Sequence, residues 1–181
     1  VFASGRRLLE NGICDAVLVG GADSFSRVVE SGFFALESLS STRSNPMSAN
    51  RCGINLGEGA ALFIMTREPG PVALLGVGES SDAHHLTAPH PEGRGAAASM
   101  KAALADAGLT PDAVDYINFH GTGTVYNDKM ESLAVGAVFG NNVPCSSTKP
   151  MTGHTLGASG AVGAGLCWPI LLETAPLLPH V

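Results

Sequence analysis

Charged side chains are scarce in this sequence. Only 14% of its 181 residues carry a charge, and ten Lys plus Arg stand against 16 Asp plus Glu, for a net charge of −6. No stretch groups several basic residues, so the electrostatic footprint that binding to a phosphate backbone requires is missing. We therefore expect no nucleic-acid partner.

Closely spaced cysteines are missing as well. Four cysteines lie far apart, without the CxxC spacing of a zinc site: Cys14, Cys52, Cys145 and Cys167. No signal peptide opens the sequence, so the expected setting is a reducing cytoplasm. We interpret all four cysteines as small apolar packing residues and assign no metal.

A long apolar run occurs once, at residues 150–172, which carry no charged side chain and could span a bilayer by length alone. The run is rich in glycine and alanine, whereas a lipid-facing helix is rich in Leu, Ile and Val. Three small residues at four-residue spacing would line one helix face for close backbone approach: Gly157, Ala161 and Gly165. The sequence predicts a buried helix limited by Pro169, not a membrane span.

Apolar residues make up 45% of the chain, enough for the core of one folded domain. Short apolar runs predict strands at residues 16–19, 60–65, 72–78, 115–119 and 143–146. Helical patterns cover residues 1–10, 95–107 and 128–139. Such alternation indicates an α/β fold whose helices cover a largely parallel sheet.

Two boundaries are suggested by local composition. The run Pro69-Gly70-Pro71 is the strongest internal break, and it divides the chain into residues 1–70 and 71–181. The first helix has no N-cap residue ahead of it, so we expect the domain to begin upstream of Val1.

Two histidines lie in loops rich in glycine and threonine. The run NFHGTGT at residues 118–124 puts His120 at the end of a predicted strand, and STKPMTGH at residues 147–154 puts Lys149 five residues before His154. Strand ends are where ligand sites of α/β folds form. The two histidines can therefore converge in one site.

Paired histidines can donate hydrogen bonds to an oxygen that gains negative charge, such as the enolate oxygen of a thioester. A helix N-terminus after His154 would help to keep that histidine neutral. The alternative is structural: each histidine merely caps a helix or satisfies a turn. The residues alone leave both interpretations open.

Four motifs together resemble one enzyme family. HGTGT followed by Asn127, Asp128 and Glu131, and then SSTKPMTGHTLGASGA, is similar to the two histidine motifs of β-ketoacyl-[acyl carrier protein] synthases in order and separation. LVGGAD at residues 18–23 and GEGAA at residues 57–61 also match. The resemblance covers practically the entire chain and is to the His-His type within the thiolase superfamily.

The resemblance implies a thiolase-like layered fold: residues 1–70 would end the N-terminal half, and residues 71–181 would form most of the C-terminal half. The family's nucleophilic cysteine would lie upstream of Val1, and its glycine-rich oxyanion segment after Val181. The chain as given would then be an inactive part of a full enzyme.

The resemblance also assigns roles to residues. His120 and His154 would activate a malonyl thioester for decarboxylation and hold the enolate oxygen, with Lys149 as the nearby cation or as a structural ion-pair partner. Thr122 and Thr124 would contact the phosphopantetheine arm or be ordinary turn hydroxyls. A supporting role falls to two acidic residues whose spacing also fits a capping box: Asp128 and Glu131.

The implied partner is an acyl carrier protein that brings its own phosphopantetheine, so we expect no separate cofactor, and a homodimer for the full enzyme. Two alternatives remain: a malonyl decarboxylase using the same histidines, or a non-catalytic partner resembling a chain-length factor. Retention of both histidines favours the enzyme, and His154 argues against Cys-His-Asn relatives.

The chain departs from the family in one loop, where Pro46-Met47-Ser48 stands in place of Pro-Phe-Asp. This departure puts the packing of the loop in doubt, not the chemistry. The cluster His84, His85 and His90 is interpreted as an exposed polar loop.

Overall fold

The computed structural model describes residues 1–178, so the last three residues of the predicted second half lie outside that description. The helices and strands are α1 (Phe2–Glu10), β1 (Ala16–Asp23), α2 (Arg27–Ala35), β2 (Gly59–Thr66), α3 (Arg94–Ala107), β3 (Ile117–Asn118), α4 (Val125–Phe139), β4 (Cys145–Ser146), α5 (Lys149–Thr152) and α6 (Ser159–Leu171). Short 3-10 turns occur at Pro111–Ala113 and Leu156–Ala158.

Strands β1 and β2 form an antiparallel ribbon that is paired along its whole length. Side chains of β2 alternate between inward and exposed positions, as expected for a strand with one covered face. The inward ring of Phe63 packs against Phe2 of α1 and Trp168 of α6, with centroids 5.4 and 5.7 Å apart. Helices α1 and α6 thus cover the same face of the ribbon.

A second pair, β3 and β4, is parallel and immediately precedes the two histidine loops. The prediction of a largely parallel sheet is therefore correct for this pair and wrong for β1 and β2. The apolar runs predicted both strands of the ribbon, but an apolar run carries no information on strand direction.

The predicted strand at residues 72–78 is wrong. Among the described residues this segment pairs with no strand, and its Val77 N–H donates to the Asp106 carboxylate of α3 at 2.8 Å. Gly76 and Gly78 lie so close to the α3 backbone that a Cβ on either would overlap a carbonyl oxygen of Ala103 or Ser99. The segment is held by helix contacts instead of a β ladder.

The small-residue helix predicted after the His154 loop starts with a 3-10 turn and extends beyond its expected limit. The turn, Leu156–Ala158, follows His154, and α6 then continues past Pro169 to Leu171. Proline removes one intrahelical hydrogen bond, and the packing of Trp168 on Phe63 holds the adjacent turn in place. Within residues 1–178, no helix has both the length and the apolar character of a membrane span.

Candidate active site

The structure brings the two predicted histidines together. His120 follows β3 and His154 follows α5, and their rings meet edge to face with centroids 5.0 Å apart and planes at 82°. Because β3 and β4 are parallel neighbours, the loops that follow them emerge at the same edge. Two motifs far apart in sequence therefore form one site.

The hydrogen bonds of His154 define its neutral tautomer. Its Nδ1 accepts the backbone N–H of Leu156 at 3.1 Å, so the ring proton of the neutral form is on Nε2. Leu156 holds this position with a φ of 46°, a left-handed conformation that a leucine rarely adopts. His154 thus has an N–H free to donate to a substrate oxygen.

Burial lowers the pKa of both imidazoles to about 4, and the positive charge of Lys149 adds to the effect. For His154, the neighbouring His120 contributes as well. Desolvation is the main cause for His154, and a 3-10 turn stands between His154 and α6, so a contribution of the helix N-terminus stays a prediction. By surface accessibility His120 is exposed, whereas His154 is half-buried.

Lys149 is buried, with 6% of its surface exposed. Burial lowers the pKa of its ammonium group, and the charge of Glu131 opposes that change. The charge of Lys149 contributes to the lowered pKa of both imidazoles, and its role as the cation beside the histidine pair stays a prediction. A cation there favours negative charge on a bound oxygen.

Glu131 holds the first histidine loop directly. Its carboxylate accepts the backbone N–H groups of His120 at 2.6 Å and Gly121 at 2.8 Å. Burial raises the pKa of Glu131, while these two donors act in the opposite direction. The residue supports His120 by fixing the backbone from which its ring projects.

The capping-box explanation for Asp128 and Glu131 is wrong. Helix α4 begins at Val125 with Thr124 as its N-cap, so both acidic residues lie inside the helix. The loop folds back over the helix, and Asp128 accepts the N–H groups of Gly123 at 3.1 Å and Met47 at 2.7 Å. Both carboxylates therefore bind loop amides and leave the helix N-terminus uncapped by side chains.

Thr122 and Thr124 face each other, with hydroxyl oxygens 3.0 Å apart. Thr122 is buried and Thr124 is half-buried. Their mutual hydrogen bond is compatible with the turn role, and contact with a phosphopantetheine arm stays a prediction.

A connecting segment, Gly53–Gly57, binds both histidine loops. Gly53 N–H donates to the Gly123 carbonyl at 2.9 Å. On the other side, His154 N–H donates to the Asn55 carbonyl at 2.7 Å, and Gly57 N–H donates to the His154 carbonyl at 3.1 Å. Sequence reasoning did not identify this segment as part of the site, because hydrogen bonds between distant loops leave no local spacing pattern.

Three further residues were not predicted as site residues. Asp23 accepts the N–H of Gly157 at 2.9 Å, just after His154. Ser147 donates to the Gly121 carbonyl at 2.7 Å. Ser44 donates to the carbonyls of Gly53 and Thr122, at 3.0 and 3.3 Å. Asp23 and Ser147 lie in motifs that carry the family resemblance, which was the available signal.

The cysteines differ from the expectation in one case. Cys52 is exposed, and its Sγ lies 2.9 Å from Ser40 Oγ; hydrogen bonds from Ser40 and Thr42 lower its pKa. Cys145 and Cys167 are half-buried, and burial raises their pKa. In the part of the chain that the structure describes, no three His, Cys, Asp or Glu side chains are arranged to hold a metal.

Acidification from pH 7 to pH 4 is expected to lower the melting temperature through the histidine pair. The unfolded imidazoles bind protons near their ordinary pKa of 6.5, whereas the folded ones do so only near 4, so protonation favours unfolding across this window. His154 should contribute more, because His120 keeps an accessible side.

Thermal unfolding between pH 7.5 and 4.5 checks this in the full-length protein. A His154→Gln variant should lose less stability on acidification than the wild type, and the exposed His85→Gln control should follow the wild type. If the melting temperatures of wild type and His154→Gln fell equally with pH, the pKa of the His154 imidazole would not be lowered by folding.

Comparisons with known proteins agree with this geometry. Residues 72–175 match the model of the β-ketoacyl synthase C-terminal domain. The chain is 38% identical over 176 residues to 3-oxoacyl-[acyl-carrier-protein] synthase 2 of Synechocystis, covering 87% of this chain and 42% of the relative. The corresponding synthase of Coxiella burnetii is also 38% identical, over 174 residues, with 86% and 42% covered.

Solved structures show the same fold. A chain of the ketosynthase–chain length factor complex from Xenorhabdus doucetiae superposes with a TM-score of 0.92 at 58% identity, covering 96% of this chain and 43% of that one. A β-ketoacyl synthase from Burkholderia phymatum gives a TM-score of 0.84 at 32% identity, with 94% and 44% covered.

The α/β fold and the convergent histidine loops define a thiolase-like ketosynthase architecture. The chain belongs to the β-ketoacyl synthase family. It spans about two-fifths of the length of the curated relatives it matches, 42% for the two named above.

Proposed function

We propose that the chain is the histidine-bearing part of a β-ketoacyl-[acyl carrier protein] synthase of fatty acid or polyketide synthesis. One observation carries the proposal: His154 is held as the neutral tautomer with Nε2–H free, 5.0 Å between ring centroids from His120. Such a pair can donate two hydrogen bonds to a single oxygen that develops negative charge.

The reaction is a decarboxylative Claisen condensation. The malonyl thioester loses CO2, and the electron pair of the broken C–C bond forms an enolate whose oxygen accepts hydrogen bonds from His120 and His154. The enolate carbon then forms a bond to the carbonyl carbon of an acyl thioester on a cysteine elsewhere in the full enzyme. The thiolate leaves, and the β-ketoacyl chain remains on the carrier.

Other residues would support this chemistry. The Lys149 charge stabilises the developing enolate, and Thr122 and Thr124 present hydroxyls to the amides of the phosphopantetheine arm. Glu131 and Asp128 hold the loop that carries His120. The carrier supplies the phosphopantetheine, and the reaction uses no metal, flavin or nicotinamide.

The proposed partners are an acyl carrier protein and a second ketosynthase-like subunit, in a cytoplasmic enzyme. Two similar structures support these classes, since one contains an acyl carrier protein with its ketosynthase and the other a ketosynthase with its chain length factor. The second subunit is either another copy, as the resemblance implies, or a chain-length-factor homologue.

The test is activity of the full-length protein with malonyl-carrier and acyl-carrier substrates. Mass spectrometry should detect a β-ketoacyl carrier together with one equivalent of released CO2. Release of CO2 without chain extension would favour the malonyl decarboxylase alternative. No CO2 and no product, with carrier and second subunit supplied, would favour the non-catalytic alternative.

A further inference from the structure

Asn55 is placed at the centre of the connecting segment, where its backbone already holds His154. Its carbonyl accepts the His154 N–H at 2.7 Å, and the adjacent Leu56 forms a parallel β-bridge with His154. A displacement of Asn55 would therefore move the backbone of His154, from which the imidazole projects.

The side-chain amide of Asn55 is saturated by backbone groups of a separate loop. Its Oδ1 accepts the N–H of Ser44 at 2.6 Å, and its Nδ2 donates to the carbonyls of Thr42 at 2.8 Å and Ser40 at 3.4 Å. The Ser44 N–H faces the oxygen side of the amide, and the carbonyls of Thr42 and Ser40 face the nitrogen side. Only an amide in this orientation satisfies all three backbone groups.

Ser44 continues the connection to the first histidine loop. Its buried hydroxyl donates to the carbonyls of Thr122 and Gly53. Gly53 in turn donates to the Gly123 carbonyl. A continuous set of hydrogen bonds thus runs from the loop of His120, through Ser44 and Asn55, to the backbone of His154.

We infer that Asn55 is a positioning residue that sets the separation of the two histidines. The inference rests on the proposed function and deepens it. Asn55 touches no reacting atom. It fixes the backbone of His154 relative to the loop that carries His120. Because both histidines must reach one oxygen, a small change in their separation weakens the hydrogen bonds to the enolate more than the binding of the carrier.

The experiment compares variants in the full-length protein. Asn55→Val removes all three side-chain hydrogen bonds of the amide. We expect kcat for condensation to fall about tenfold to a hundredfold, with KM for the malonyl carrier changed by less than about twofold. Asn50→Ala is the matched control, since its exposed side chain bonds only within its own loop, and it should keep wild-type kcat.

A second variant separates positioning from general stability. Asn55→Asp keeps the acceptor for Ser44 but places a carboxylate against two carbonyls. Protonation of that carboxyl restores a donor, so kcat relative to wild type should recover as the pH falls from 8 to 6. The valine variant cannot recover in this way. If Asn55→Val fails to fold, the pH dependence of kcat in Asn55→Asp tests the inference by itself.

A crystal structure of the folded variant reports on the inference independently of activity. The inference predicts that the His120–His154 ring separation changes from 5.0 Å. If the wild type is inactive, the proposed function fails, and the ring separation alone decides the role of Asn55. Unchanged separation, or wild-type kcat in both Asn55 variants of an active enzyme, would overturn the inference.

Discussion

A His154→Ala variant of the full-length protein is expected to lose about 10²–10³-fold in kcat for condensation. The neutral ring presents Nε2–H because Nδ1 is occupied by the Leu156 amide, and alanine removes that donor. His120 and Lys149 remain, so some decarboxylation should persist. The measurement is steady-state condensation with malonyl-carrier, with CO2 release followed in parallel.

The control for this variant is His85→Ala, which removes an exposed histidine outside the site and should retain wild-type kcat. Loss of the Leu156 hydrogen bond should cost only about 1 kcal/mol of stability, so the variant should remain folded. A decrease in kcat of less than about threefold would mean that His154 does not contact the developing charge.

Gly57→Ala is expected to reduce the free energy of unfolding by at least about 4 kcal/mol, or to prevent folding. Gly57 and the α5 end approach each other backbone to backbone, and a Cβ on Gly57 would overlap the Thr152 carbonyl oxygen. Gly153, at a φ of 68°, lies on the other side of the same contact. Backbone cannot move away as a flexible side chain can, so the overlap must separate the two segments.

Denaturant unfolding of the full-length protein measures this effect. Gly136→Ala is the matched control, because Gly136 lies in α4 with open space around its Cβ position. That substitution should stabilise the protein slightly, by about 0.5–1 kcal/mol. Gly57→Ala with wild-type stability would contradict the described contact between the segments.

Patterns over neighbouring residues predicted several of the helices and strands. Helix α3 ends at Ala107, with Gly108 as its C-cap, and the apolar runs at β1 and β2 became strands, because apolar runs and helix stops are encoded in neighbouring residues. Residues 72–78 have the same apolar character, yet they lie against α3. Only the position of a partner strand could have distinguished the two outcomes, and a single sequence does not contain it.

The convergence of the two histidine loops could be predicted from sequence, but the hydrogen bonds that hold them could not. His120, His154 and Lys149 came from motif resemblance, and the structure brings the two histidines together, while their catalytic roles stay predictions. Asp128 and Glu131 bind loop amides and do not form the predicted capping box, since the spacing of a capping box and that of loop binding look alike in sequence. Asn55 and Ser44 act through backbone groups of remote loops, which no periodicity reveals.

The connecting segment has a consequence for grafting and recombination. The region that matches the family's C-terminal domain, residues 72–175, contains both histidines but neither Asn55 nor Gly57. A chimaera joined at Pro69-Gly70-Pro71 would thus combine the histidines of one parent with the connecting segment of the other. Crossover points placed before Ser40 would instead keep the histidines, Asn55 and the loop that binds the Asn55 side chain in the sequence of one parent.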